Sequence, residues 1–366
     1  MQWLLLIILI PYIYLLLKIY ISLKTIKTFS PSGSHDIFVT VIVACRNEEK
    51  DLPALLKDIS EQDYNPDLFE LVITDDNSTD MTFTVASSFR NIRNLRVLRN
   101  EGNCKKQAIR TGVNASKGNL LITTDADCRM GPGWIRSISS FYSENKPDMV
   151  ICPVMLENKP GFFSRFQEIE FLSLQGITAG TAAGGSPVMC NGANLAFTKE
   201  SYNRHSADLH DNMVSGDDVF LLHALKEEKE NKILWIESQA SVVTSKISET
   251  PGSFLRQRAR WISKAGAYKD NYTKILAIVT FVTISFQWFL LIAGIFNQVF
   301  LMVLLVSFII KSVPDFLILK NTVSRYGREN LLDVFIPSQL IYPVYVITVV
   351  LCYLFGANNY CYSSEE

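Results

Sequence analysis

The stretch that decides the fold is Leu120-Leu121-Ile122-Thr123-Thr124-Asp125-Ala126-Asp127. An apolar run typical of a buried strand ends there in two carboxylates separated by one small residue. Because alternate side chains of a strand point to the same face, Asp125 and Asp127 are predicted to aim in one direction. Two hard oxygen ligands at a strand end suit Mg²⁺ or Mn²⁺, and such ions accompany diphosphates. An ordinary acidic loop gives the same pattern, so the rest of the chain decides between the two interpretations.

Strands and helices alternate along the first part of the chain. Strands are predicted over residues 37–44, 69–74, 95–98 and 119–124, and helices over residues 49–62, 80–90 and 105–115. This succession with short connections predicts an α/β fold with a mostly parallel central sheet covered by helices. Ligands of such sheets bind beyond the carboxyl ends of the strands.

Polar side chains follow three of these strands at the point where each strand ends. They are Asn47-Glu48, Asp75-Asp76, and Asp125 with Asp127. Because the carboxyl ends of parallel strands lie at one edge of a sheet, these groups are predicted to converge. The pattern favours a nucleoside diphosphate and its cation. A dinucleotide cofactor is disfavoured, because no G-x-G-x-x-G follows the first strand.

Apolar residues gather at the two ends of the chain. The 366 residues are 48% hydrophobic, and spans of membrane length are predicted over residues 3–23, 275–296, 299–319 and 331–355. The sequence therefore predicts an N-terminal transmembrane anchor (1–24), a cytosolic catalytic domain (37–270) and a C-terminal membrane region of three helices (275–355). The third span contains Lys311 and Asp315, which stand four residues apart and could pair on one helix face. The alternative is that the apolar segment is short and the Lys311 side chain extends to the membrane interface.

Basic residues flank the spans unevenly. Lys24 and Lys27 follow the first span, Lys264 and Lys274 precede the second, and Lys320, Arg325 and Arg328 separate the third from the fourth. The loop between the second and third spans carries no charge. The positive-inside rule then predicts a multi-pass protein of the cell membrane whose catalytic domain faces the cytoplasm.

Charge and cysteine content exclude two classes of protein. The net charge is −1, which lacks the basic footprint of a nucleic-acid binder, so no nucleic-acid partner is expected. The seven cysteines include no C-x-x-C pair, which argues against a zinc site or a disulfide framework.

Two segments after the D-x-D stretch bear on membrane contact. Residues 160–172 are rich in phenylalanine and predict an amphipathic helix, either at the membrane interface or in the core of the domain. Residues 178–187 are rich in glycine, alanine and threonine and predict a mobile loop.

Several ordered motifs over residues 37–265 resemble those of glycosyltransferase family 2, whose members have the GT-A fold. Asn47-Glu48 resembles the end of the opening strand, which meets the nucleotide, and Asp75-Asp76 resembles the acids that contact the uridine. Lys105 begins a stretch similar to the family's K-x-x-A-L-N-x-G, with Ile109 and Arg110 in place of Leu-Asn. Asp125-Ala126-Asp127 matches the metal-binding motif, in which the second Asp is the more direct ligand.

Three later motifs resemble the acceptor and membrane parts of the same family. Asn194 lies in a segment similar to the G-x-N-x-A-F that lines the acceptor side. Asp217-Asp218 resembles the family's E-D pair, which puts Asp218 at the position of the catalytic base. Gln257-Arg258-Ala259-Arg260-Trp261 matches the Q-x-x-R-W of membrane-bound members that build polysaccharides or glycolipids.

The resemblance implies a division of roles among these residues. Asp218 is expected to be the general base, with Asp217 orienting the acceptor or supporting the fold. Gln257 and Arg260 are expected near the donor phosphates, and Trp261 under the acceptor. The alternative for that segment is a basic helix at the membrane interface. His205, His210 and His223 are the alternatives to Asp218 as the base.

These expectations together describe an inverting family 2 hexosyl- or N-acetylhexosaminyltransferase of the membrane. Its donor is expected to be a UDP-sugar, its cofactor Mg²⁺ or Mn²⁺, and its acceptor a lipid or lipid-linked glycan. Membrane lipids are expected partners, as is an oligomer or a co-polymerase subunit. A processive polysaccharide synthase is the first alternative, and a non-catalytic scaffold subunit with the same fold is the second.

Overall fold

The chain forms two compact units whose segments alternate along the sequence. The computed structural model describes residues 2–31, 37–102, 104–209, 216–228 and 230–356. We call residues 26–157 and 189–246 the sheet unit. We call residues 2–25, 158–188 and 247–356 the membrane-helix unit.

All strands of the described residues belong to the sheet unit. They are β1 (Val39–Cys45), β2 (Phe69–Asp75), β3 (Leu95–Arg99), β4 (Leu120–Asp125), β5 (Arg129–Met130), β6 (Met149–Ile151), β7 (Val154–Leu156), β8 (Leu195–Thr198), β9 (Ile233–Trp235) and β10 (Val243–Ser245).

The α-helices of the described residues are divided between the two units. They are α1 (Ile10–Thr25), α2 (Leu52–Ser60), α3 (Thr82–Ser88), α4 (Lys105–Ala115), α5 (Trp134–Asn145), α6 (Phe162–Ala183), α7 (Lys199–Arg204), α8 (Asp217–Glu227), α9 (Pro251–Ile262), α10 (Asn271–Phe296), α11 (Val299–Arg325) and α12 (Phe335–Gly356).

The main sheet is parallel on the side that carries the acidic strand ends. Within the described residues its strand order is β3-β2-β1-β4-β8-β6-β9, and β1 pairs in parallel with both β2 and β4. Strand β8 runs antiparallel to its neighbours β4 and β6. A second, three-stranded sheet has the order β5-β10-β7. The predicted mostly parallel α/β sheet is therefore present.

Burial explains why the central strands read as continuous apolar runs. Every residue of β2 is buried, and β1 is buried except for the partly exposed Ala44, as expected for strands covered by helices on both faces. Glu70 is one of two buried acidic residues in β2, and Asp75 at the end of the strand is the other. Glu70 Oε1 accepts hydrogen bonds from Thr40 Oγ1 at 2.8 Å and from the Lys117 backbone N–H at 2.5 Å, which offsets the cost of burying Glu70.

The membrane-helix unit contains the long apolar helices. Four helices of the described chain are long and apolar enough to cross a membrane: Gln2–Thr25, Asn271–Phe296, Val299–Arg325 and Glu329–Gly356. Each overlaps one of the four spans predicted from the sequence.

Helix α6 corrects the expectation of a loop over residues 178–187. It extends to Ala183, so most of the predicted loop over residues 178–187 is helical. The helix is packed inside the membrane-helix unit, because Gly176 lies against Thr322 of α11 and Gly180 lies against Ile19 of α1. The small residues that suggested a mobile loop are there because bulkier ones would prevent this close approach.

The charged pair in α11 joins a buried lysine to a partly buried aspartate. Lys311 is 2% exposed. It donates to Asp315 Oδ2 at 2.6 Å and to Gln339 Oε1 at 2.9 Å. Tyr12 of α1 donates to the other oxygen of Asp315 at 2.6 Å. Lys311 thus pairs with Asp315 on one face of α11. The alternative, that the Lys311 side chain extends to the membrane interface, is wrong.

Replacing Gly180 with alanine tests the helix contact in the membrane-helix unit. Alanine is favoured over glycine in a helix by about 0.5–1 kcal/mol. A Cβ at this position, however, would lie 2.7 Å from both the main-chain oxygen and Cγ2 of Ile19. We expect Gly180→Ala to lower the thermal unfolding midpoint in detergent, since overpacking costs roughly 1–3 kcal/mol.

Gly266→Ala is the matched control, because a Cβ there meets nothing within 4 Å. It should leave the midpoint unchanged or raise it. A higher midpoint for Gly180→Ala would show that α6 does not pack closely on α1.

Candidate active site

The strand register brings the predicted donor residues to one edge of the sheet. Cys45, the last residue of β1, is aligned with Asp75, the last residue of β2. On the other side of β1, Ala44 is aligned with Asp125, the last residue of β4. Three strand ends that are far apart in sequence therefore lie side by side, with their following loops at the same edge.

The loops after β1 and β2 are joined by short hydrogen bonds. Asn47 has a left-handed backbone (φ 54°), and its side-chain Oδ1 accepts from the Thr79 backbone N–H at 2.8 Å. The backbone N–H of Glu48 donates to Thr82 Oγ1 at 2.7 Å. Asn47 therefore has a positioning role in this structure, since its side chain fixes one loop against the next.

The two acids after β2 differ in their hydrogen bonding. Asp76 Oδ1 accepts from Asn100 Nδ2 at 2.6 Å, so this carboxylate is satisfied within the protein. Asp75 has no exposed surface, and neither of its carboxylate oxygens has a hydrogen-bond partner among the described residues. Arg99 Nη1 lies 4.0 Å from Asp75 Oδ2, beyond hydrogen-bond distance. A buried carboxylate in this state is costly unless a ligand donates to it.

Lys105 links the D-x-D motif to the acids of α8. Its Nζ donates to Asp125 Oδ1 at 2.5 Å. Burial opposes the charged form of Lys105, but Asp125 and, more weakly, Asp217 and Asp218 outweigh burial and raise its pKa. One fixed cation thus lies in the field of carboxylates from both sequence motifs.

A second group of acids surrounds Asp127. Burial and the neighbouring Asp125 raise the pKa of Asp127. Burial, followed by Asp127 and Asp51, raises the pKa of Glu48 from 4.5 to about 7. Lys246 donates to Asp51 Oδ1 at 2.5 Å, which only partly balances this group. The edge of the sheet therefore has an excess of negative charge that a cation would relieve.

Asp218 is held at the start of α8 by backbone donors. Its Oδ2 accepts from the Gly192 N–H at 2.9 Å, and its Oδ1 accepts from the Val219 N–H at 2.8 Å. The first of these bonds fixes α8 to the segment before β8. Asp217 is the first residue of the helix. Each Asp218 oxygen retains a lone pair for a further donor.

The histidine alternatives to Asp218 are placed differently. His205 and His223 are both buried, and His205 Nε2 lies 3.4 Å from Glu228 Oε1. His210 lies outside the described residues.

Asn194 is enclosed by the protein rather than facing the sheet edge. It has no exposed surface. Its Nδ2 donates to the backbone oxygens of Pro153 and Ser241, and its Oδ1 accepts from Trp134 Nε1 at 3.0 Å. These bonds use the side-chain amide to hold the start of β8 in place. The acceptor role expected from the resemblance stays a prediction.

The Q-x-x-R-W residues belong to the membrane-helix unit. Arg260 on α9 is exposed, whereas Gln257 and Trp261 are partly exposed. Gln257 Oε1 accepts from Arg258 at 2.5 Å, and the Arg258 guanidinium lies 4.1 Å from the Trp261 ring centre. Arg258 therefore orders the two motif residues next to it.

Sequence reasoning did not assign Arg258 its role. Its guanidinium is 4% exposed and forms a salt bridge of 2.6 Å with Glu170 of α6. Burial opposes its charge, but Glu170 outweighs burial and raises the pKa of Arg258. The only available signal was the presence of glutamates in an otherwise apolar helical segment.

The donor set suits a metal ion that arrives with phosphates. No three His, Cys, Asp or Glu side chains of the described chain are arranged to hold an ion by themselves. Mg²⁺ in phosphate sites is commonly held by one or two carboxylates together with the phosphates. Asp127 and Asp125 meet that requirement, since they are adjacent in the motif and lie in a region of excess negative charge. In this structure Asp125 already binds Lys105, so Asp127 is the better candidate for direct contact.

The segment that matches a known protein family includes most of the sheet unit and helix α6 of the membrane-helix unit. Residues 40–205 match the model described as Glycosyl transferase family 2. The chain carries a family 2 glycosyltransferase domain. The family predicted from the sequence is therefore confirmed.

Two curated relatives of this glycosyltransferase domain match shorter segments. The poly(ribitol-phosphate) beta-N-acetylglucosaminyltransferase TarS of Staphylococcus aureus is 28% identical over 114 residues, which are 31% of this chain and 20% of that protein. The beta-monoglucosyldiacylglycerol synthase of a Nostoc species is 27% identical over 138 residues, which are 36% of this chain and 30% of that protein. The match thus spans less than a third of the length of either relative.

A solved structure is similar over nearly the whole chain. The mannosyltransferase PcManGT from Pyrobaculum calidifontis, in complex with GDP-Man and Mn²⁺, is 17% identical and has a TM-score of 0.63. The match covers 97% of this chain and 99% of that one. The predicted GT-A fold is confirmed by this likeness.

Glu48→Gln tests the acidic group by its effect on stability. The raised pKa means that the folded protein retains a proton that the unfolded chain releases between pH 4.5 and about pH 7. The retained proton therefore adds to the free energy of unfolding in full below pH 4.5, and this contribution is lost as the pH rises through about 7. We expect Glu48→Gln to lose less stability than the unmodified protein across this interval.

The measurement is the thermal midpoint of both proteins from pH 4.5 to pH 8. Glu61→Gln is the control, because Glu61 is an exposed residue beyond α2, and its curve should run parallel to that of the unmodified protein. A constant difference between Glu48→Gln and the unmodified protein would contradict the raised pKa.

Proposed function

We propose that this chain is an inverting membrane glycosyltransferase that transfers a sugar from a nucleotide sugar, expected to be a UDP-sugar, to a lipid or lipid-linked acceptor. The observation that carries the proposal is the register of β1 with β2 and β4, which aligns the ends of three strands. That edge combines a buried carboxylate without a hydrogen-bond partner among the described residues, a lysine and an excess of acids. This combination suits a nucleobase, a diphosphate and a cation.

Asp75 is the proposed contact for the nucleobase. A uracil ring presents an N–H donor, and the buried Asp75 oxygens have no hydrogen-bond partner among the described residues. A donated hydrogen bond would offset the cost of burying this carboxylate. Asp76, Asn47 and Glu48 are assigned to the same donor subsite, with Asp76 and Asn47 holding its loops through their own hydrogen bonds.

Lys105 and the D-x-D acids are proposed to serve the departing diphosphate. When bound, Mg²⁺ or Mn²⁺ supplies positive charge that stabilises the leaving group. Asp127 and Asp125 would hold the ion, and Lys105 contributes a second, permanent positive charge beside Asp125. Gln257 and Arg260 are assigned to the donor phosphates by the resemblance to the family.

Asp218 is proposed to be the general base. The acceptor oxygen attacks the anomeric carbon and passes its proton to the Asp218 carboxylate. A new carbon–oxygen bond forms as the bond to the diphosphate breaks, and its electron pair leaves with the diphosphate. Because this is a single displacement, the anomeric configuration is inverted. Asp217 is assigned to acceptor orientation.

The acceptor is proposed to be a lipid because of the membrane-helix unit and the relatives. The described chain has four helices of membrane-spanning length, and one relative is named for a glucosyldiacylglycerol. The proposal keeps the division into an anchor (1–24), a cytoplasmic catalytic domain (37–270) and a membrane region (275–355). Asn194 and Trp261 remain assigned to the acceptor side. An oligomer or co-polymerase subunit is proposed only for the alternative, a processive polysaccharide synthase.

The product of the reaction tests the proposal. Purified protein in membranes is incubated with a panel of labelled nucleotide sugars, and products are separated by lipid extraction and by size. A small organic-soluble product is expected, and a polymer of high molecular weight would favour the polysaccharide synthase. No transfer from any donor would favour the scaffold.

Asp218→Asn tests the base assignment. The variant keeps the side-chain size but cannot accept the proton, so we expect the transfer rate to fall by about 10²- to 10⁴-fold. Nucleotide binding should change little, because Asp218 is assigned to the acceptor. The rate is measured by label transfer, and binding by calorimetry with UDP.

Glu227→Gln at the other end of α8 is the control and should retain full activity. An Asp218→Asn variant with an unchanged transfer rate would refute the base assignment.

A further inference from the structure

A cavity within the membrane-helix unit is lined by none of the residues assigned above to the donor or the acceptor. Its volume is about 80 Å³. Residues of α6 line it together with residues of α1, α11 and α12, which belong to three of the four helices of membrane length. A single water site occupies roughly 10–15 Å³ by the same measure, so the cavity takes a group about the size of a glycerol unit.

The polar wall of the cavity is acidic. Glu170 and Asp315 both line the cavity. Their cationic partners, Arg258 and Lys311, are not among the described residues that line it. Each carboxylate is already paired with its buried cation, at 2.6 Å in both cases. The charges therefore cancel within each pair, and only the acidic member of each pair belongs to the wall.

Ser338 provides a second, independent indication of a ligand. Its side chain lines the cavity and is 6% exposed, and its Oγ has no hydrogen-bond partner in the described chain. A buried hydroxyl without a partner is costly, and a ligand hydroxyl would satisfy it. The rest of the wall includes Ile177, Ile318 and Phe335, which suit an alkyl chain.

We propose that this cavity binds the head of a neutral, hydroxyl-bearing membrane lipid of the diacylglycerol type. Hydroxyl groups can donate to the oxygens of Asp315 and Glu170 and exchange hydrogen bonds with Ser338. A lipid phosphate would instead bring a negative charge next to two carboxylates, and no lysine, arginine or histidine of the described residues lines the cavity to offset it. The identification of this lipid as the acceptor rests on the proposed function.

Lipid binding without any donor sugar tests the inference. Full-length protein in detergent micelles is titrated with a short-chain diacylglycerol, with a phosphatidic acid of the same chains, and with free glycerol. We expect the diacylglycerol to bind at least about tenfold more tightly than the phosphatidic acid, because the phosphate would lose its hydration without meeting a cation among the described lining residues. Equal affinities would overturn the inference, and so would glycerol binding as tightly as the diacylglycerol.

Two serine variants separate the cavity from general effects on the membrane helices. Ser338→Ala should weaken diacylglycerol binding about three- to tenfold, which is the usual loss for one hydrogen bond. Ser312→Ala is the matched control, because Ser312 Oγ is also buried without a hydrogen-bond partner among the described residues but does not line the cavity. Equal losses in the two variants would overturn the inference.

The binding result is independent of the transfer result. Selective diacylglycerol binding without sugar transfer from any donor would support the cavity and overturn the proposed function. Sugar transfer without diacylglycerol binding would overturn the cavity inference alone.

Discussion

The parallel pairing of β1 with β2 and β4 is the constraint on which the candidate site depends. It aligns Cys45 with Asp75 and Ala44 with Asp125, so loops that are up to 80 residues apart begin side by side. Parallel pairing requires crossover helices, which α2, α3 and α4 provide. A shift of one residue in the register would turn Asp75 toward the opposite face and break the alignment. The backbone therefore determines which acids can act together.

Electrostatics gives this edge its chemical character. Burial, with repulsion from neighbouring acidic residues added to it, raises the pKa of Asp127 and of Glu48. Lys105 and Lys246 each pair with one acid and so reduce the repulsion without removing it. Such a site stores unfavourable interactions in the free protein that a bound cation and diphosphate can relieve. Preorganised charge of this kind favours binding and stabilises a leaving diphosphate.

The sequence predicted much of the fold because its signals were local. The D-x-D strand, the alternating strands and helices and the four apolar spans each depend on neighbouring residues. Helix α6 was misjudged because its glycines serve contacts with Ile19 and Thr322, which are far away in sequence. The roles of Arg258 and Asn194 escaped for the same reason, since Glu170, Trp134 and Ser241 are their distant partners. Motif spacing identifies candidate residues, but the folded chain decides whether each of their side chains already has its hydrogen-bond partners within the protein.

The central claim is that the acidic edge binds a nucleoside diphosphate together with a divalent cation, and the coupling between the two ligands tests it most directly. Calorimetric titrations of UDP with and without Mn²⁺, and of Mn²⁺ with and without UDP, measure that coupling. We predict that each ligand tightens the other by the same factor, as linkage requires. Asp127→Asn should remove the coupling and leave metal-free UDP binding intact. A UDP affinity that does not change with Mn²⁺, or a coupling that survives Asp127→Asn, would contradict the account.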